Sequence, residues 1–203
     1  MSVVVLPLQA AHLPAVTTAL TDAFADDAGM RAICGSAPEA RYRRRLAAWF
    51  LATLRLSLAT QQPVWVVSVD GMIIGAALLT RPQTPFVCRA WLGWLLAVGI
   101  HCSWGAVWRT AHHERQRAAY RPAQAHAVLE FLAVDRDYRG LGYAALLLDA
   151  AQRWSATQAV PTGIWLETTR LSNVAFFEHF GYTLMGRLSF EQGDALFLFR
   201  APE

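Results

Sequence analysis

The stretch "FLAVDRDYRGLGYAALLLDAA" holds the residues whose types and spacing can do chemistry. An apolar run ends at Val134, a short polar loop follows, and Arg139-Gly140-Leu141-Gly142-Tyr143-Ala144 leads into a helical pattern. A helix start carries free backbone N–H groups, which hold phosphate when the backbone can approach it closely. Gly140 and Gly142 have no Cβ to stand in the way, Ala144 keeps the helix start narrow, and Arg139 adds a charged contact. The chemistry this suits is the binding of a pyrophosphate. A glycine-containing turn before a helix is also a common structural device, so the pattern alone leaves both readings open.

The same letters, "GLGYAA", fit a dinucleotide-binding turn, with Glu167 ending the next strand where a ribose-binding acid would sit. Two observations rank that reading low. Five residues separate Val134 from Gly140, whereas such a turn follows its strand almost at once, and too little chain remains downstream to complete a doubly wound sheet.

The elements that must position these residues are legible as alternating runs. "VVVLPL" (Val3 to Leu8) is a strand, followed by a helical pattern that ends in acids and Gly29. A second helix starts at Pro38, with Leu46, Trp49, Phe50, Leu54 and Leu58 on one side. Strands at Val64 to Val69 and Met72 to Thr80 flank Asp70-Gly71, a strong hairpin signal. His126 to Val134 is a strand, "GYAALLLDAAQRWSATQ" a helix and Gly163 to Thr169 another strand. "SNVAFFEHFGY" has a cap at Ser172, a short helix and Gly181 as its stop, and two strands surround Gln192-Gly193-Asp194. The predicted order is βααββ, a helical insertion at 89–121, then βαβαββ, all in one domain of residues 1–203.

Composition narrows the partners. The chain of 203 residues is 55% apolar and 16% charged, with mean hydropathy +0.27, which argues against disorder. Its net charge of +3 is carried by arginines that form no long tract, which argues against nucleic acid. The first residues lack the pattern of a secretory signal, and the protein is read as cytoplasmic. Cys34, Cys88 and Cys102 are an odd number with no CxxC pair, which points to idle thiols rather than disulfides or a metal site. "RYRRR" (Arg41 to Arg45) reads as a solvated helix face, and His112-His113-Glu114 as surface.

"LAVDRDYRGLGYAALLLD" resembles the acetyl-CoA motif of the GNAT acyltransferase superfamily, an Arg/Gln-x-x-Gly-x-Gly/Ala signature filled here by Arg139 to Ala144. "LETTRLSNVAFFEHFGY" resembles the same family's second motif at the correct spacing, and together with "Tyr-Arg-Pro" before the strand it looks most like the puromycin N-acetyltransferase branch. The resemblance runs from about His126 to the C-terminus. It implies an α/β (α+β) fold with a mixed, mostly antiparallel sheet of about seven strands flanked by helices. It also implies N-acetyl transfer from acetyl-CoA, as cosubstrate and without a metal, to a primary amine of a small molecule. By position, the backbone of Leu132, Ala133 and Val134 would pair with the pantetheine arm and Arg139, Gly140, Leu141, Gly142, Tyr143 and Ala144 would cradle the pyrophosphate. Asn173 and Phe176 would flank the thiol end, with Phe177 beside them. An alkyl amine has a pKa of about 10 and needs a base to become nucleophilic at pH 7. Glu130, four residues before Val134, takes that role by position, with His126 on the same face if no bulge intervenes. Phe177 is a departure, standing where the family usually offers a tyrosine to protonate the leaving thiolate. A non-catalytic acyl-CoA sensor is therefore the alternative.

"AWLGWLLAVGIHCSWGAVW", nineteen residues between Arg89 and Arg109, is long enough to cross a bilayer. Strands on both sides of it belong to one sheet, and a single crossing would divide that sheet, so a span is excluded. Gly93, Gly99 and Gly105 allow kinks or close approaches. The stretch is expected to wall an apolar acceptor pocket or to form a homodimer contact through 89–109.

Overall fold

The β-rich runs around Asp70-Gly71 pair as β2 (Val64–Val69) and β3 (Met72–Thr80) in the computed structural model, which describes residues 2–83, 87–160, 162–190 and 193–202. Asp70 and Gly71 have φ of 49° and 84°, the left-handed pair a two-residue type I′ turn needs. Ahead of the hairpin come β1 (Val3–Pro7), α1 (Leu13–Ala23), α2 (Ala28–Cys34) and α3 (Glu39–Ala59). After it come α4 (Cys88–His101), α5 (Trp104–Ala118), β4 (His126–Val134), α6 (Tyr143–Ala156), β5 (Gly163–Thr168), α7 (Ser172–His179), β6 (Thr183–Phe190) and β7 (Gly193–Arg200). The expected turn at Gln192 lies outside the described residues.

The strands form one sheet in the order β1-β2-β3-β4-β5-β7-β6. Every neighbouring pair is antiparallel except β4 with β5, which are parallel and joined through α6. On one face Val66, Ala76 and Leu78 pack with Leu20, Leu46, Phe50, Leu54, Trp94 and Val98 from α1, α3 and α4. On the other face Val67, Ala77, Leu129 and Leu166 pack with Leu147 and Leu148 of α6 and Val174 and Phe177 of α7. A smaller cluster around Trp165, Phe197 and Phe199 holds the β5-β7-β6 edge.

Three elements differ from expectation. The acids after α1 do not merely stop it: Asp27 caps a further helix, its Oδ1 accepting from the Met30 N–H at 2.9 Å, so three helices precede the hairpin instead of two. The apolar insertion is two helices, because Ser103 caps α5 by accepting from the Ala106 N–H at 3.0 Å. Gly99 takes the close approach there, since a Cβ on it would stand 2.8 Å from the Trp104 ring. Ser172 begins α7 without capping it through its side chain. With the apolar stretch divided, no helix of the described residues is long and apolar enough to cross a membrane.

Candidate active site

The site begins where β4 and β5 part. They pair over four residues only, from His126↔Gly163 to Leu129↔Leu166, although β4 runs on to Val134 and β5 to Thr168. Glu130 and Glu167 are therefore the first residues beyond the last rung, one on each strand. On its other side β4 stays paired with β3, but the register jumps from Leu79↔Leu129 to Leu78↔Phe131 and leaves Glu130 without a partner. This is a β-bulge, and it reverses the side-chain alternation. Ala127 and Leu129 face the α6 side before it, whereas Phe131 and Ala133 face α1 and α3 after it.

Beyond the bulge, the direction of the β4 backbone follows from one hydrogen bond. The Asp135 N–H donates to Ile74 O at 2.7 Å, so Val134↔Gly75 is a non-hydrogen-bonded pair and Ala133↔Ala76 a hydrogen-bonded one. Ala133 thus turns its N–H and C=O toward β3, and Leu132 and Val134 turn theirs into the gap between β4 and β5. Arg139 reaches back over this end of the gap, its Nε donating to Val134 O at 3.1 Å.

The loop after β4 then presents the helix start that the sequence suggests. Gly140 and Gly142 have φ of 77° and 84°, and a Cβ on either would meet nothing within 4 Å. Their requirement is conformational, and the space above them is open. Gly142 is the N-cap of α6 and has no side chain to satisfy the first N–H groups, so these point into that space. Leu141 is exposed at the loop's tip, whereas Tyr143 is buried beside Tyr138 and Ala144 packs on the core.

One cleft of about 1260 Å³ connects this cradle to the opening between β4 and β5 and continues to the helical insertion. It exceeds the roughly 300–1,000 Å³ of a single small-ligand site. Phe24, Trp49, Trp94 and Phe131 wall its far end, with Phe131 5.3 Å from Phe24 and 5.6 Å from Trp49 between ring centroids. Trp94 Nε1 donates to Thr53 Oγ1 at 3.1 Å, so this wall is apolar in character and satisfied in its polar atoms. The inner side of the insertion lines the cleft, as expected for a pocket wall. Its outer side leaves Leu92, Leu96, Ile100, Trp104 and Trp108 exposed.

The charged groups at the strand opening are gripped by α5. Arg117 donates through Nη2 to Glu130 Oε2 at 2.9 Å and is ion-paired with Glu114. Burial opposes its charge, but the two carboxylates outweigh this and raise its pKa. One turn away, His113 Nε2 donates to Glu167 Oε2 at 2.9 Å, with side-chain exposures of 25% and 13%. Burial works against protonation of His113 as well, yet the hydrogen bond and charge of Glu167 prevail, and its pKa is raised above the ordinary 6.5. Asp27 adds a tether, with Thr169 Oγ1 donating to its Oδ2 at 2.6 Å.

The other expected residues are placed as follows. His126 lines the cleft, with Nδ1 against Gln124 O at 2.8 Å and its ring 6.2 Å from Trp165. Arg117 also lies over Trp165, at 5.6 Å, so His126 and Glu130 share a face of the sheet, but the group on Glu130 is Arg117. Asn173 Nδ2 donates to Thr168 Oγ1 at 3.0 Å. Phe176 packs on Phe177, and Phe177 on Tyr182, at 5.3 and 5.6 Å. His113 is not the surface residue that the sequence suggests. The signal lay in the i,i+4 spacing of His113 and Arg117, which puts both on one side of a helix. Cys34 and Cys102 are buried, which pushes their thiols up to about 12 and about 11 and leaves no nucleophilic cysteine in the core.

A sheet opened between two parallel strands, beside a helix start that bares its N–H groups, defines the acyltransferase class of α/β fold. The chain belongs to the acetyltransferase (GNAT) family, whose sequence profile matches residues 27–182. Among solved structures, a histone acetyltransferase HPA2 and related acetyltransferase from Corynebacterium glutamicum is similar over 100% of this chain and 98% of its own, with 24% identity and TM-score 0.74. The PaiA N-acetyltransferase from Thermoplasma acidophilum, solved in complex with coenzyme A, aligns over 99% of both chains at 11% identity and TM-score 0.60. Arabidopsis thaliana Naa50, in complex with a bisubstrate analogue, aligns over 99% of both at 13% identity and TM-score 0.54. No curated protein sequence matches the chain significantly.

Proposed function

We propose that this protein transfers an acetyl group from acetyl-CoA to the primary amine of a small molecule with an apolar or aromatic body, by direct attack within a ternary complex. The opening between β4 and β5 beside the bare helix start of α6 is the observation that carries this reading. Leu132 and Val134, whose backbone groups face that gap, would pair with the pantetheine arm. Ala133 drops out of that set because its backbone serves β3. The N–H groups from Gly140 to Ala144 would hold the pyrophosphate, with Arg139 above them. An arm laid along β4 from this loop leads its acyl end to the bulge, where Glu130 and Glu167 stand. Asn173, Phe176 and Phe177 flank the same end from α7.

The acceptor follows from the far end of the cleft. Its carboxylates, Asp27, Glu114, Glu130 and Glu167, would draw a cationic amine in among the arginines that share the lining, while Phe24, Trp49, Trp94 and Phe131 suit an apolar body. Glu130, fixed by Arg117, would hold the ammonium. His126 lies toward the paired end of β4, where it would contact the acceptor. The narrower resemblance to the puromycin N-acetyltransferase branch rests on the quoted residues alone. The exposed row Leu92, Leu96 and Ile100 is the surface for the homodimer contact, and a single monomeric species at all concentrations by sedimentation velocity removes it.

The test is thermal stabilisation by coenzyme A together with thiol release from acetyl-CoA across an amine panel. Ligand at 100 times its dissociation constant adds about 2.7 kcal/mol. No stabilisation by millimolar coenzyme A overturns the reading. The second reading, a CoA sensor, is favoured by Phe177, which has no proton to donate. Stabilisation without thiol release from any amine selects it.

A further inference from the structure

We infer that His113, carried by the insertion helix α5, is the group that takes the proton from the acceptor amine, and that Glu167 is its positioning residue. This rests on the proposed acetyl transfer and names the base within it. Glu130 is the obvious carboxylate from its place on β4, but the structure commits its Oε2 to a buried arginine. The other carboxylate at the opening, Glu167, is committed to an imidazole.

The geometry of that pair sets which nitrogen is free. A carboxylate only accepts, so Nε2 of His113 carries the hydrogen that it donates to Glu167 Oε2 at 2.9 Å. The neutral ring then has its lone pair on Nδ1, and Glu167 stabilises the imidazolium that forms when Nδ1 is protonated. His113 lines the same cleft as Glu130 and the aromatic wall, and a quarter of its side-chain surface is exposed. The charged groups that act on it are Glu167 from β5 and Glu114 and Arg117 from its own helix, and the cleft they share is also lined by Asp27 and Glu130 and by Arg121 and Arg170. The two glutamates acting on the ring outweigh Arg117, which favours its proton uptake.

In the step itself the ammonium held at Glu130 first passes one proton through His113 to solvent, and the neutral amine nitrogen then forms a bond to the thioester carbonyl carbon. Its proton passes to Nδ1 of His113, the C–S bond breaks, and sulfur leaves with the bonding pair. The thiolate takes a proton from solvent, and the imidazolium returns one to solvent.

The experiment compares wild type, H113Q, E167Q and E130Q by the pH dependence of kcat/KM, with His113 followed by NMR in the same protein. Coenzyme A binding reports that each variant is folded. In wild type, kcat/KM falls on the acid side with the midpoint at which the His113 ring titrates, and the ring nitrogen shifts show hydrogen on Nε2 alone above it. H113Q loses a factor of about 10² to 10⁴ and the acid limb with it. E167Q, which keeps shape but removes charge, moves both the limb and the ring titration to lower pH. E130Q raises KM and keeps the limb. The inference is overturned if H113Q retains the rate and limb, if the ring titrates away from the limb, or if Nδ1 carries the hydrogen. Should H113Q not fold, E167Q decides on the two midpoints. A wild type that releases no thiol with any amine fails at the earlier reading, and an active wild type with an indifferent H113Q fails only here.

Discussion

His113 on α5 and Glu167 on β5 meet at 2.9 Å across the cleft, 54 residues apart in the chain. Together with the Arg117–Glu130 pair at 2.9 Å, this contact clamps the two diverging strands from one helix. The polar interior of the cleft is thus held by the polar second half of α5, which follows directly on the apolar stretch.

The stability conferred by the His113–Glu167 pair depends on pH in a definite direction. The folded pKa of His113 lies above the unfolded value of about 6.5. Its contribution is therefore full below 6.5 and is lost as pH rises through the folded pKa. Denaturant unfolding of wild type and H113Q will show a gap that narrows as pH is raised from 5.5 to 9. A gap that widens would contradict the pairing.

Arg117 is almost fully buried between two carboxylates. Replacing it by methionine leaves Glu130 facing an apolar neighbour and should cost about 3–5 kcal/mol. Adding E130Q to R117M removes the stranded charge and recovers part of that loss. Equilibrium unfolding of the two variants measures both effects.

Gly142 starts α6 with φ 84° and open space around its Cβ position. A G142A variant pays about 1–2 kcal/mol for the left-handed backbone and also narrows the helix start. The expected outcome is a folded protein whose affinity for coenzyme A falls at least tenfold by calorimetry, a larger loss than its shift in stability.

Asp27 accepts from Met30 N at the start of α2 and from Thr169 just beyond β5. D27A should lower stability by about 1 kcal/mol through the lost cap alone. Faster amide exchange at Met30 and Arg31 would locate the effect.

Phe177 lines the cleft from α7 and packs against Phe176 and Tyr182. F177Y supplies a hydroxyl at the end of that ring, so kcat is expected to rise several-fold with the same amine. An unchanged kcat, with coenzyme A binding retained, would show that the thiolate needs no donor there.

Much of the framework was legible because its signals are local. The hairpin at Asp70-Gly71, strand β4 with its limits, and the glycine turn into α6 each depend on neighbours in sequence. The bulge at Glu130 left no such trace, since it is set by the register against β3 and by the departure of β5. The role of Asp27 as a cap was hidden because acids also end helices. His113 was misjudged for the same kind of reason. Its spacing to Arg117 defines a helix side, but only tertiary packing turns that side toward two glutamates. The resemblance supplied the residues near the donor and could not supply those of the insertion.

The division of the apolar stretch into α4 and α5 has a consequence for how such a protein diversifies. The groove proposed for the donor is made by β4, the loop after it and α6, whereas the opposite jaw hangs between β3 and β4 as a separate hairpin of helices. Mutations along that jaw can reshape the acceptor end while the phosphate cradle and strand edge stay as they are. On the proposed reading residues 88–118 form an exchangeable part, and grafting them onto a related scaffold is expected to carry acceptor preference with them.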